Sequence, residues 1–326
     1  MSRRKNDLSS EELSFLNDSK QTQVIDFKTA LSSFLEDCEI RNLRPQTIQY
    51  YRNELSLYYK LLREQDIDAS PSEITKDIIK RNIILYMKDT KKLQVVTINT
   101  RLRAIRAFFN YLYREKHIKH NPVKDIKLLK DRRKVVETFT LDQLNKLFQQ
   151  PDLRTFIGVR DYSYMLLLLE TGIRVSELEG VCIQDIRWSD STLHIRNTKS
   201  YKERLVPIQK QMKDQLKKYI QIRGVLSTDA LFITLEGEPM TKRQFQNRVT
   251  HHGKKANLTG VRCSCHTFRH TFAKMAVKQG AGIFELQSIL GHTSMEMVRI
   301  YVNLFSGDVT EKHKNFSPLK NIKPRL

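Results

Sequence analysis

Residues 263–272, CSCHTFRHTF, hold two cysteines, two histidines and an arginine within eight positions. Wound as a helix, the segment puts Phe268, Phe272, Met275 and Ala276 on one face and His266, Arg269 and His270 on the opposite one. The apolar face is expected in a core, and the polar face is expected to look towards an anion. Cys263, Cys265, His266 and His270 also have the donor atoms of a tetrahedral zinc site. The spacing fits zinc poorly: a single residue between the cysteines points their thiols apart in an extended segment, and the glutamate of an HExxH helix is missing. Small buried cysteines ahead of a helix fit better, and no metal or other cofactor is expected. More long polar residues stand at turns. TGIRVSEL places Arg174 at a helix start just after a glycine turn. ILGHTSMEMVRIY places His292 before a capped helix and Tyr301 about two turns into it.

The elements that must hold these residues can be read from periodicity. Residues 1–22 are polar and aperiodic and are expected to be a flexible arm. Residues 23–117 carry four amphipathic helices and no good strand, with Phe27, Ala30, Leu31, Phe34 and Leu35 in the first and Leu102, Ile105, Phe108, Phe109 and Leu112 in the fourth. The third is expected to open at Ser72 and Glu73. This bundle also bears Arg41, Arg44, Arg101, Arg103 and Arg106, an inventory suited to gripping phosphates. Asn121-Pro122 and a run of lysines and arginines mark a basic linker over 118–139. A second domain, 140–306, opens with a capping box, Thr140 to Gln143, and further boxes stand at 241–244 and 293–296. Between its helices, DIRW, TLHIR and ERLVPI read as a short antiparallel sheet. The fold class is therefore mainly α with a small antiparallel β-sheet, in two domains followed by a basic tail, 307–326.

The 326 residues include 57 lysines and arginines against 36 acidic residues, a net charge of +21, and a balance of that kind favours a polyanionic partner, nucleic acid above all. The basic N-terminus is followed by no apolar run, and the longest apolar block is too short to span a bilayer. Four cysteines in so long a chain imply no disulfide framework. A cytoplasmic, nucleoid-associated protein with no membrane partner is expected.

TGIRVSEL, NTKSYKERLVPI, HTFRHTFA and ILGHTSMEMVRIY, in this order and ending in a tyrosine, resemble the signature boxes of the tyrosine recombinases, the family of phage integrases, Xer recombinases and tyrosine transposases. The resemblance covers roughly residues 23–306 and implies a core-binding bundle and a catalytic domain that clamp duplex DNA as a C. It also implies a catalytic set: Arg174 supported by Glu177, Lys199 in the strand-to-strand turn with Lys202 as its alternative, His266 and Arg269, His292, and Tyr301 as nucleophile. His270 is left outside that set as a structural hydrogen-bonder. Further implied are a homodimer on inverted-repeat half-sites, a homotetramer in synapsis, and a 3′-phosphotyrosine intermediate that needs neither metal nor ATP. The biological setting implied is integration, excision or transposition of a mobile element.

The chemistry agrees with these roles. A phosphodiester under attack gathers charge on its non-bridging oxygens, and arginines can grip them in two-pronged fashion. A phenol of pKa about 10 is scarcely ionised at neutral pH, so Tyr301 calls for nearby positive charge and a proton acceptor, for which His266 is available. Lys199 can protonate the departing 5′-oxygen. A DNA-binding regulator that has lost cleavage, a type IB topoisomerase and a zinc-dependent DNA binder remain as alternatives.

Overall fold

A computed structural model of the chain describes residues 25–131, 137–196, 203–291, 298, 299 and 301. The chain divides into two compact units, Met1–Lys134 and Val135–Leu326. The arm at 1–22, the capping box at 293–296 and the tail at 307–326 lie outside the described residues.

The first unit is helical. Helix α1 (Phe27–Ile40) starts from Asp26, whose carboxylate accepts the Thr29 amide at 2.9 Å. Helix α2 (Pro45–Arg63) carries proline at its first position, where an amide would have no intrahelical partner anyway. Helix α3 (Lys76–Ile78) opens at Thr75 rather than at Ser72 and Glu73, because Thr75 has the extended backbone that lets Oγ1 reach the Ile78 amide at 3.3 Å. It runs straight into a π-wound segment, Ile79–Thr90, and helix α4 (Val95–Arg114) follows. The apolar positions of α4 are buried as their spacing predicts, and Phe108 meets Phe27 and Phe34 edge-on at 5.7 Å in both pairs.

Two expectations for this unit need correcting. Arg101 is not a phosphate-gripping residue: it is 7% exposed, with Nε donating to Glu54 at 3.0 Å and Nη1 against the Met87 sulfur. It falls on the inward stripe of α4 beside Leu102 and Ile105, so burial forces it to find a carboxylate inside the protein. Arg41 and Arg103 are exposed, Arg41 in an ion pair with Asp37 at 3.2 Å, while Arg44 and Arg106 are half-buried. The stretch expected to be linker from residue 118 packs on the bundle instead. Ile118, Val123 and Ile126 are buried in its core, and the Asn99 amide pairs with both backbone groups of Leu129, at 2.9 and 2.8 Å. The lysines between these residues set the composition, but the spaced aliphatics decide the packing.

In the second unit the capping box at Thr140 opens helix α5 (Leu141–Phe148) as predicted. Helix α6 (Phe156–Thr171) is largely buried and ends on Gly172 at φ 60°, the left-handed conformation that glycine enters without strain. After the short helix α7 (Val175–Leu178) come strands β1 (Ile186–Arg187), β2 (Thr192–Ile195) and β3 (Arg204–Pro207), antiparallel in the order β1-β2-β3. Leu193 pairs with Ile186 and Val206, and all three are buried, so one face of the small sheet closes the core. Helices α8 (Lys210–Arg223), α9 (Lys242–Lys255, with its predicted capping box), α10 (Cys265–Lys278) and α11 (Ile283–Leu290) complete the described elements. No helix among the described residues is long and apolar enough to cross a membrane.

Deep in this unit Asp161 on α6 is fully buried among cations. Arg160 reaches its Oδ1 through Nε and Nη2 at 3.1 and 2.9 Å, while Arg248 and His252 of α9 meet Oδ2 at 2.6 and 2.8 Å. Burial by itself would raise the carboxyl pKa. The hydrogen bond with His252, the charge and hydrogen bonds of Arg160 and the hydrogen bond of Arg248 outweigh it and hold the group below the usual carboxylate range. The stability it contributes is thus fully present above the unfolded-state pKa of about 3.9 and is lost as pH falls through the lower folded-state value. Asp161→Asn should destabilise the second unit by about 3–5 kcal/mol, since it strands buried cations. Thermal melts of the two proteins at neutral pH check this, and the gap between them should close in strong acid.

Candidate active site

Four backbone features build the site. Gly172 turns the chain at the end of α6, and a Cβ there would lie 2.6 Å from the Phe272 ring, so this close turn admits no side chain. The turn delivers Arg174 to the extended position that opens α7. Strand β3 supplies Arg204, and α11 ends on Gly291, also left-handed at φ 62°. Helix ends leave carbonyls without intrahelical partners and carry partial negative charge. Here those carbonyls face arginines.

Glu177 on α7 is 2% exposed and joins two of these arginines. Its Oε2 accepts the Arg174 amide at 2.8 Å and its Oε1 accepts Arg174 Nη1 at 3.0 Å. Arg204 grips the same carboxylate with Nη1 and Nη2 at 3.0 and 2.8 Å, and its Nε donates to the Ile289 carbonyl at 2.7 Å. Burial opposes ionisation of Glu177, but the hydrogen bonds and charge of Arg204, with those of Arg174, win and keep its pKa below normal. Arg269 completes the cluster from α10. It is 4% exposed, and its Nη1 and Nη2 donate to the Gly172 and Leu290 carbonyls at 2.7 and 2.8 Å. Arg174 Nη1 also reaches the Leu290 carbonyl, at 3.4 Å. Burial first, and then Arg174, lower the Arg269 pKa to about 10, which leaves it charged at neutral pH.

The expected two-faced character of α10 is only partly realised. Phe268 is fully buried, but Met275 is 38% exposed and Phe272 half-buried, whereas Arg269 on the polar side is buried. The carbonyl ends of α6 and α11 cover that side and satisfy the guanidinium, which a helical wheel cannot reveal. His266, in the first turn, is exposed; partial burial and the charges of Arg269, Arg174, Lys242 and Arg262 lower its pKa and favour the neutral ring.

Tyr301 is 6% exposed and sits with Ala273, Val277, Leu286, Leu290 and Val298. Burial raises its pKa above the ordinary phenol value, opposed by the charges of Arg269 and Arg174 and by a hydrogen bond with Arg269. His270 is the histidine that meets its hydroxyl, with Nδ1 2.8 Å from the phenol oxygen. The structure thus brings Arg174, Glu177, Arg269 and Tyr301 together, with His266 on the same helix as Arg269. Lys199, Lys202 and His292 lie outside the described residues.

Arg204 was missed in the sequence, and the partner of His270 was not foreseen. Arg204 had one signal, its place in the strand five residues beyond Lys199. His270 was set aside as a structural hydrogen-bonder, and the partner it meets is Tyr301. Local spacing reveals no partner 27 or 31 residues away.

Among the described residues, no group of three or more His, Cys, Asp or Glu side chains is arranged to hold a metal ion. Cys263 donates to the Val249 carbonyl and Cys265 is buried, and burial pushes both thiols up to about 12.

Residues 137–307, more than half of the chain, match the model of the phage integrase family, and residues 31–116 match the phage integrase N-terminal SAM-like domain. The tyrosine recombinase XerC of Thermodesulfovibrio yellowstonii is 31% identical over 283 residues, covering 84% of this chain and 90% of that protein. XerC of Oceanobacillus iheyensis is 29% identical over 299 residues, covering 89% and 96%. Among solved structures, a lambda integrase dimer bound to a core site has a similar fold (TM-score 0.72, 20% identity, 91% of this chain and 82% of that one). So does the Tn1549 transposon integrase in complex with circular intermediate DNA (0.68, 22%, 88% and 98%). A SAM-like bundle ahead of an integrase-type unit, with relatives matched along nearly their whole length, places this chain in the phage integrase family of tyrosine recombinases, the enzymes of site-specific recombination.

Proposed function

We propose that the chain cleaves and rejoins double-stranded DNA through a covalent bond between Tyr301 and a 3′-phosphate. The observation that carries this is the buried phenol of Tyr301, hydrogen-bonded to Arg269 and subject to the charge of Arg174, in a cluster whose geometry Glu177 fixes. The phenol oxygen attacks phosphorus and gives up its proton, for which His266 is the acceptor; the bond from phosphorus to the 5′-oxygen breaks, and Lys199 gives that oxygen its proton. Arg174 and Arg269 stabilise the charge on the non-bridging oxygens, with His292 as a further donor. One phosphodiester replaces another, so the step is close to thermoneutral and reverses when a 5′-hydroxyl from a second strand attacks. In the finer reading, a dimer binds inverted half-sites, two dimers pair as a tetramer, and the exchange integrates, excises or transposes a mobile element. The charge of +21 and the exposed Arg41 and Arg103 support contact with DNA phosphates.

Arg204 acts in this scheme as a positioning residue. It holds the carboxylate that holds Arg174, and through Ile289 it ties β3 to the end of α11. Two variants test the scheme on nicked duplexes tiled from the DNA flanking the gene, in EDTA. Wild-type protein should form an SDS-resistant adduct that Tyr301→Phe cannot form, with DNA affinity retained; an adduct surviving in Tyr301→Phe would falsify the assignment of the nucleophile. Arg204→Met should slow adduct formation about 10²-fold, the cost of a small misplacement of a catalytic group, with DNA affinity held and partial recovery in Arg204→Lys.

A further inference from the structure

We propose that residues 137–139 form a strap that sets the register of α10, and that Thr271, which fastens it, is a positioning residue for Arg269. The proposal rests on the function above, in which Arg269 grips the phosphate that Tyr301 attacks.

The strap is tied to α10 at three levels. Just before the helix, Glu137 Oε2 accepts the Arg262 amide at 2.8 Å. In the middle, the Phe139 amide donates to Thr271 Oγ1 at 2.9 Å, and the Phe139 ring meets Phe268 edge-on with centroids 5.1 Å apart. Further along, Lys274 Nζ donates to Thr138 Oγ1 at 3.0 Å. Phe139 is 3% exposed, and Phe268 and Thr271 are fully buried. The strap ends at Thr140, whose capping box starts α5. Gln143 of that box also donates to the Thr259 carbonyl at 3.1 Å, a further tie to the chain ahead of α10.

The Thr271 hydroxyl is the central fastening. It donates to the Thr267 carbonyl at 2.7 Å within α10, which leaves its lone pairs for a donor from outside the helix. The buried Phe139 amide must find an acceptor, and this oxygen provides it. A slide or roll of α10 would break the bond and leave a buried donor unsatisfied, so one register is favoured.

On a helical wheel Thr267, Phe268, Thr271 and Lys274 share one side of α10, and His266, Arg269 and Ala273 fall on the other. The strap therefore bears on the back of the helix whose front presents Arg269. Both Nη atoms of Arg269 are committed to the Gly172 and Leu290 carbonyls. Where its guanidinium meets a phosphate thus follows from where the α10 backbone stands. Contacts at the back decide geometry at the front, and a misplacement of about 1 Å there can cost about 10²-fold in rate.

The test uses full-length protein and a nicked duplex on which wild type forms an adduct. Thr271→Val keeps the shape of the side chain and removes the acceptor. At saturating DNA it should form adduct about 10–10²-fold more slowly, with DNA affinity unchanged. Thr271→Ser restores the oxygen and should recover most of that rate. Amides of α10 should exchange hydrogen roughly tenfold faster in Thr271→Val than in wild type. In an Arg269→Lys background Thr271→Val should cost little further rate, because the hydroxyl acts through that guanidinium. Should Thr271→Val fold poorly, the double variant Glu137→Ala, Lys274→Ala loosens only the outer ties; it should melt near wild type and still form adduct several-fold more slowly. A wild-type rate in Thr271→Val would overturn the proposal. So would a loss that Thr271→Ser does not rescue, or one that recurs in full in the Arg269→Lys background, since either would make Thr271 a folding contact only. No adduct with wild type on any duplex, or an adduct surviving in Tyr301→Phe, would instead strike the function above, and exchange in α10 would then decide whether the strap holds the helix.

Discussion

The candidate site depends on one buried carboxylate. Glu177 is nearly inaccessible and ionised, and it can be so only because Arg204 grips both of its oxygens while Arg174 supplies a guanidinium and a backbone amide. A lone buried carboxylate would take up a proton, and two arginines drawn together without one would repel. The three groups are stable only as a set. Because Arg204 comes from the sheet and Arg174 from the turn after α6, satisfying Glu177 also fixes those two elements against each other.

The same logic extends to the helix ends. Gly172 and Leu290 present carbonyls that α6 and α11 leave without intrahelical partners, and Arg269 closes over both. Arg174 shares the Leu290 carbonyl, so two guanidiniums are held close by backbone oxygens that cannot be titrated away. The left-handed glycines that end the two helices make this possible, since a Cβ at Gly291 would press on the Arg204 guanidinium and one at Gly172 on the Phe272 ring. A concentration of positive charge is thereby built in advance, which in the proposed reaction would spare reorganisation as a phosphate gains charge.

Tyr301 shows how packing sets reactivity. It shares a small apolar cluster with Ala273, Val277 and Leu286, which withdraws its hydroxyl from water and raises its pKa, while Arg269 pulls the other way. In the bundle, Arg101 meets a comparable inward position differently. It has Glu54 as a partner and becomes a structural ion pair rather than a free surface charge. Whether a buried charged group is a tool or a brace is decided by its partner, and the partner lies far away in the chain.

Local chemistry was legible in the sequence. The helices, the capping boxes at Thr140 and Thr241, the left-handed stop at Gly172 and the three-stranded sheet all rest on interactions within a few residues, so their spacing is enough to find them. The ordered boxes were enough to identify the family and to single out Arg174, Glu177, Arg269 and Tyr301. Tertiary structure alone decided which side chains meet: that Arg204 holds Glu177, that Arg269 is buried under two helix ends, that Arg101 turns inward, and that His270 is the histidine on Tyr301. The reason is physical. A helical wheel ranks positions by polarity, but the direction a charged group takes depends on where a distant carbonyl, carboxylate or hydroxyl can satisfy it, and only the folded chain brings that partner within about 3 Å.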